Sequence, residues 1–146
     1  MKFLVDAMLG KLAKWLRILG YDTLYFRDLE DEQLIGLAEV EGRVLLTGDE
    51  ELWRHGILIS SDDWREQLRE LAEAVELDTS RVFTRCIECN VPLDRVGRAE
   101  IEGEVPPYVF ATQEEFGRCP GCGRIYWKGT HFQSALAEVE RIINER

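Results

Sequence analysis

Four short apolar runs, each ending beside an acid and each followed by a helical pattern, constrain this chain more than any other feature. Phe3-Leu4-Val5 ends at Asp6, Thr23 to Phe26 at Arg27-Asp28, Val44 to Leu46 at Thr47-Gly48-Asp49, and Ile57 to Ile59 at Ser60-Ser61-Asp62-Asp63. After the first run, Leu9, Leu12, Leu16 and Leu19 recur on one helical face before Gly20. A second helix opens at Asp31 with Leu34, Leu37 and Ala38 on one face and closes at Gly42. A short helix follows around Glu50 to Arg54. A longer one, Trp64 to Leu77, has Asp63 and Glu66 spaced as a capping pair. Strands alternating with helices across short links predict parallel pairing. The expected fold is therefore an α/β sheet flanked by helices, with the acids gathered at the edge where such sheets bind ligands.

Converging carboxylates repel one another unless a divalent cation sits among them, and hard oxygen donors suit Mg²⁺ or Mn²⁺. Asp6, Asp31 and Asp49 are the candidate catalytic ligands, because helix capping alone does not bring three acids to one edge. Asp28, Asp62 and Asp63 are additional candidates that turn or capping chemistry also explains. Thr47 places a hydroxyl beside the acids and is a candidate substrate contact. Lys11, Lys14 and Arg17 lie at i, i+3 and i+6, either a solvated flank or a stripe for phosphates.

A second part begins near residue 81. Cys86-Ile87-Glu88-Cys89 and Cys119-Pro120-Gly121-Cys122 stand 29 residues apart, the spacing of two knuckles closing a tetrahedral site with no open position. Zn²⁺ in a structural role is expected, and a rubredoxin-type iron is the alternative. Between the pairs, the stretches 99–105 and 108–112 suit short strands, as does 124–128 after them. Ser134 to Asn144 reads as a terminal amphipathic helix. Lys128 and His131 are candidate substrate contacts. Tyr126, Trp127 and Phe132 either stack on unpaired bases or form the ribbon's own small core.

The net charge of −10 excludes nucleic-acid binding by bulk attraction. Residues 1–80 carry 9 basic and 18 acidic side chains against 9 and 10 in residues 81–146, so the acid is concentrated in the first part. No run reaches the roughly 18 apolar residues of a membrane span. The expectation is a soluble, cytoplasmic protein with no membrane partner, divided into domains at 1–80 and 81–146.

The segment from Asp6 to Arg17, the following Gly20-Tyr21-Asp22-Thr23, the run Leu45-Leu46-Thr47-Gly48-Asp49, and the Cys pairs ending in Trp127-Lys128-Gly129-Thr130-His131 resemble the Mut-seven C-terminal RNase family over nearly the whole chain. The resemblance implies a PIN-like nuclease domain joined to a zinc ribbon. The implied activity is metal-dependent hydrolysis of RNA phosphodiester bonds, with Asp6, Asp31 and Asp49 holding Mg²⁺ or Mn²⁺. Gly48 departs from the family, where Arg is common at that position, and the segment from Glu50 to Ile59 is short. Two rivals stay open: a non-catalytic nucleic-acid- or protein-binding module with a vestigial acid edge, and a phosphoacceptor or phosphatase-like fold using Asp6 as nucleophile. The second rival lacks an acid two residues after Asp6.

Overall fold

The computed structural model describes residues 1–145, with the His131 side chain outside the described residues. Strands β1 (Phe3–Val5), β2 (Thr23–Tyr25), β3 (Val44–Thr47) and β4 (Ile57–Leu58) form one sheet in the order β2-β1-β3-β4. Every pairing in it is parallel, with Phe3 opposite both Thr23 and Val44. Helices α1 (Gly10–Ile18), α2 (Asp31–Glu41) and α3 (Trp64–Ala74) intervene, and short 3₁₀ segments span Ala7–Leu9 and Glu50–His55. Gly20 and Gly42 end their helices at φ +94° and +64°, a backbone that a side chain disfavours.

Successive strand residues point to opposite faces, and that alternation splits the core in two. Phe3, Val5 and Leu46 pack with Leu12 and Leu16 of α1, Leu68 and Leu71 of α3, and Val139, Ile142 and Ile143. Leu4 and Leu45 face the other way, onto Leu34 and Ala38 of α2 and onto Leu52. A strand buried on both faces reads as an unbroken apolar run, which is what Phe3-Leu4-Val5 is. Each such leucine contributes about 1.5–3 kcal/mol by leaving water.

The second part carries a three-stranded antiparallel sheet in the order β5 (Asp94–Val96), β6 (Phe116–Arg118), β7 (Ile125–Tyr126). Ile101, Val105 and Phe116 form its small core, with Trp127 packed against them. The expected strands at 99–105 and 108–112 are not there. A 3₁₀ turn occupies Arg98–Glu100, and Pro107 opens helix α4 (Pro107–Thr112), where a fixed φ and a missing N–H suit the first helical position. The guanidinium of Arg98 lies 4.7 Å over the Phe110 ring and donates to the Phe110 carbonyl at 2.7 Å, which fastens the segment without a strand partner.

Helix α5 (Thr130–Asn144) starts four residues earlier than its apolar pattern suggests. It follows the ribbon in sequence, but its Val139, Ile142 and Ile143 belong to the core of the first sheet. Among the described residues no helix is long and apolar enough to cross a membrane.

Candidate functional site

The chain passes from β2 across β1 to reach β3, so the C-terminal ends of β1 and β3 flank the point where strand order reverses, the usual ligand position in an open α/β sheet. Asp6 leaves β1 there and is only 6% exposed. Its Oδ1 accepts from the Met8 N–H at 3.0 Å, and its Oδ2 accepts from the Gly48 N–H at 3.2 Å and from the Thr47 hydroxyl. Thr47 Oγ1 in turn accepts from the Asp49 N–H at 3.0 Å. The fully buried Thr47 therefore links the two acids rather than facing a substrate, which revises the contact expected of it. A Cβ at Gly48 would stand 3.3 Å from both Sδ and Cε of Met8, so the glycine lets this exposed methionine lie over the turn.

Asp49 caps the 3₁₀ turn by accepting from the Glu51 N–H at 2.9 Å. Together Asp31, Asp49 and Glu51 each offer a carboxylate oxygen within 4.8 Å of the others. Asp31 and Glu51 are exposed, and Asp49 is half-buried. A single Mg²⁺ with bonds of about 2.1 Å spans about 4.2 Å between opposite ligands. The three carboxylates lie close to that reach, two of them on exposed side chains, and an all-oxygen donor set fits the hard cation. Of the three acids expected to share an ion, Asp31 and Asp49 are in this group and Asp6 is not. Glu51 joins it although nothing in the sequence marks it out, because an acid in the first turn of a helix is the ordinary response to the helix dipole.

The remaining candidates are spread more widely. Asp28 and Asp62 are exposed, and Asp63 caps α3 by accepting from the Arg65 N–H at 3.0 Å. Lys11 and Lys14 are exposed on α1, and Lys128 is exposed just before α5, where the His131 side chain lies outside the described residues. The Arg17 guanidinium donates to backbone carbonyls at Thr23 and Ile87, so it is not free for a phosphate. Two of the three ribbon aromatics are engaged within the protein. The Tyr126 hydroxyl lies 3.1 Å from Cys86 Sγ, and Phe132 packs against Trp15 and Phe83.

The cysteines form the other centre. All four Sγ atoms lie within 4.8 Å of one another, Cys86 and Cys119 buried, Cys89 and Cys122 exposed. A tetrahedron with metal–sulfur bonds of about 2.3 Å has edges of about 3.8 Å. Cys86 Sγ and Cys122 Sγ are 3.8 Å apart, so the donor set fits Zn²⁺. Each knuckle aims backbone N–H groups at its first sulfur: Cys89 N–H to Cys86 at 3.3 Å, and Gly121 and Cys122 N–H to Cys119 at 3.3 and 3.4 Å. The Cys122 N–H leads in lowering the Cys119 thiol to about 7, while hydrogen bonding with Cys122 and Cys119 pushes Cys89 up to about 12. Four crowded thiols cannot all ionise without a cation among them.

The two centres lie at opposite ends of the first sheet. The acids follow the C-terminal ends of the strands, whereas the first knuckle meets the sheet at Thr23, the start of β2. A groove of ≈ 580 Å³ beside the ribbon, with Phe83, Arg95, Trp127 and Lys128 on its walls, contains none of the sheet-edge acids.

The Mut7-C RNAse domain family matches residues 1–139 of the 146. No curated protein and no solved structure matches significantly.

Proposed function

The chain belongs to the Mut7-C RNAse domain family, and from that premise we propose that it hydrolyses RNA phosphodiester bonds with a divalent cation held by Asp31, Asp49 and Glu51. The observation that carries the reading is the meeting of these three carboxylates at the strand-order reversal. Bound Mg²⁺ or Mn²⁺ supplies the Lewis acidity that activates water and stabilises the leaving oxygen. Asp6 stands behind this group. Through Thr47 and the Gly48 N–H it fixes the turn that carries Asp49, so it serves as a positioning residue. Lys11 and Lys14, on the helix that starts at the same edge, offer positive charge to flanking phosphates in an otherwise acidic half. In the division proposed here, residues 1–80 carry the chemistry and 81–146 a structural Zn²⁺ ribbon, with α5 returning to support the first core.

The test is Mn²⁺-dependent cleavage of a single-stranded RNA by the full chain and by Asp49→Asn. Loss of turnover with an unchanged melting temperature supports the reading, and full activity in the variant overturns it. The separation of Asp6 from the ligand group is the one observation that favours a non-catalytic binding module. That reading predicts RNA retention without turnover, and no heat of Mn²⁺ binding at the acid edge.

A further inference from the structure

The first knuckle is fastened to the edge of the parallel sheet by two side chains. Arg17, in the last turn of α1, donates from Nε to the Thr23 carbonyl at 2.9 Å and from Nη1 to the Ile87 carbonyl at 2.7 Å. Asn90, the first residue beyond Cys89, sits at φ +57° and grips the same strand. Its Oδ1 accepts from the Thr23 N–H at 2.9 Å, and its Nδ2 donates to Asp22 Oδ1 at 2.8 Å. Thr23 begins β2, the outermost strand on that side, so Asn90 supplies the acceptor that a neighbouring strand would otherwise offer. The contacts continue inward. Asp22 pairs with Arg43 at 2.9 Å, and Arg43 also donates to the Phe3 carbonyl at 3.1 Å, in the central strand. Around this clamp the backbone is equally close: the Phe83 N–H donates to the Ile18 carbonyl at 2.9 Å, and a Cβ on Gly20 would stand 2.3 Å from the Arg81 oxygen.

The positions of Ile87 O and of Asn90 are set by the knuckle itself. The Asn90 N–H donates to the Cys86 carbonyl at 2.9 Å and the Cys89 N–H to the Cys86 sulfur at 3.3 Å, so the turn is wound around the metal-binding thiols. Without a cation, only weak S–H contacts such as that between Cys86 and Cys122 tie the two knuckles together, so the turn is free to open. Opening it would strip Arg17 of a carbonyl and leave the Thr23 N–H unsatisfied at the sheet edge. Losing partners for half-buried polar groups is costly.

We infer that metal occupancy of the four-cysteine site and the integrity of the acid-bearing sheet form one linked equilibrium, with Arg17 and Asn90 as the residues that couple them. The inference goes beyond the nuclease reading and rests on Zn²⁺ as the occupant. Linkage is reciprocal: whatever factor the clamp lends to the sheet, it returns to zinc affinity.

The experiment uses the full chain, zinc-loaded and chelator-stripped, with amide hydrogen exchange read residue by residue. Stripping is expected to speed exchange at Thr23 and Leu24 by about tenfold or more, the range of an ordinary coupling between sites. Asn90→Gly keeps the left-handed backbone and removes only the side chain. Arg17→Met keeps the aliphatic stem. Both are expected to lower zinc affinity by about tenfold in competition with a chelating dye. If Arg17→Met does not fold, Asn90→Gly decides the matter alone. Unchanged exchange at Thr23 after stripping, or wild-type zinc affinity in Asn90→Gly, overturns the inference. So does a wild-type chain that holds no zinc by elemental analysis, and none of these results bears on RNA cleavage at the acid edge.

Discussion

The cysteine cluster and the acid cluster are built by opposite means. Each Cys-x-x-Cys pair folds on itself, so one turn of backbone delivers two sulfurs and its own N–H donors to them. The acid cluster is assembled across the fold, Asp31 from the start of α2 and Asp49 and Glu51 from the turn after β3, with no turn of its own to define it. Spacing alone therefore specifies the first, while the second exists only because the strand order brings β3 beside β1. The cost of disrupting each should differ in kind: stability for the sulfurs, activity for the carboxylates.

The largest effect expected is on stability. Structural zinc contributes about 10–16 kcal/mol in small metal-folded domains. Cys86→Ser or Cys119→Ser should abolish stoichiometric zinc binding and lower the melting temperature steeply, as read by circular dichroism. A stable, zinc-free Cys86→Ser chain would erase the contrast drawn above.

The next effect falls on turnover. Asp49→Asn should reduce Mn²⁺-dependent cleavage by at least about 10²-fold, a loss of nearly 3 kcal/mol of transition-state stabilisation, with little change in melting temperature. Glu51→Gln should weaken Mn²⁺ binding by calorimetry in the same direction. If Glu51→Gln is neutral while Asp6→Asn removes the cation, Asp6 and not Glu51 completes the ligand set.

How much of this was legible follows the same division. The four parallel strands and the thiol cluster could be read directly, because apolar runs and Cys-x-x-Cys spacing act over a few residues. Asp31 and Asp49 were also legible, as acids at one edge. Glu51 was not, since its signal is identical to a favourable charge in a first helical turn. Nor was Asp6's commitment to Thr47 and Gly48, which depends on β1 and β3 being neighbours. Arg17 looked like part of a basic stripe, and only the docking of a knuckle 70 residues away shows its guanidinium spent on carbonyls. Within the ribbon, Pro106-Pro107 turns an apolar stretch into α4, because a proline at the first helical position favours a helix start over a strand.

Thr47→Val sharpens the contrast at smaller scale. Removing one hydroxyl leaves the buried Asp6 carboxylate short of a donor and the Asp49 N–H short of an acceptor, a cost of about 1–3 kcal/mol in denaturant unfolding. Thr47→Ser should restore most of it. Weakened Mn²⁺ binding in the valine variant, recovered in the serine variant, would show that Asp6 acts on the cation through this hydroxyl.

The smallest effect expected concerns pH and lies at the seam between the two regions. Burial pushes the Asp22 carboxyl up, but hydrogen bonds from Arg43 and Asn90, with the Arg43 charge, outweigh it and the net shift is downward. A carboxyl depressed in the folded state adds stability above its unfolded value of about 3.9, and loses it as pH falls through the folded value. The stability difference between wild type and Asp22→Asn should therefore be constant at pH 5 and above, then shrink below about pH 4. Acid also protonates the thiolates and releases zinc, so bound zinc is measured in both chains across the same titration and the Asp22 contribution is read where their occupancies match. A difference that persists unchanged to the lowest pH at which both chains fold would mean that the Asp22 charge contributes nothing to the clamp, leaving Arg17 and Asn90 to join the knuckle to the sheet on their own.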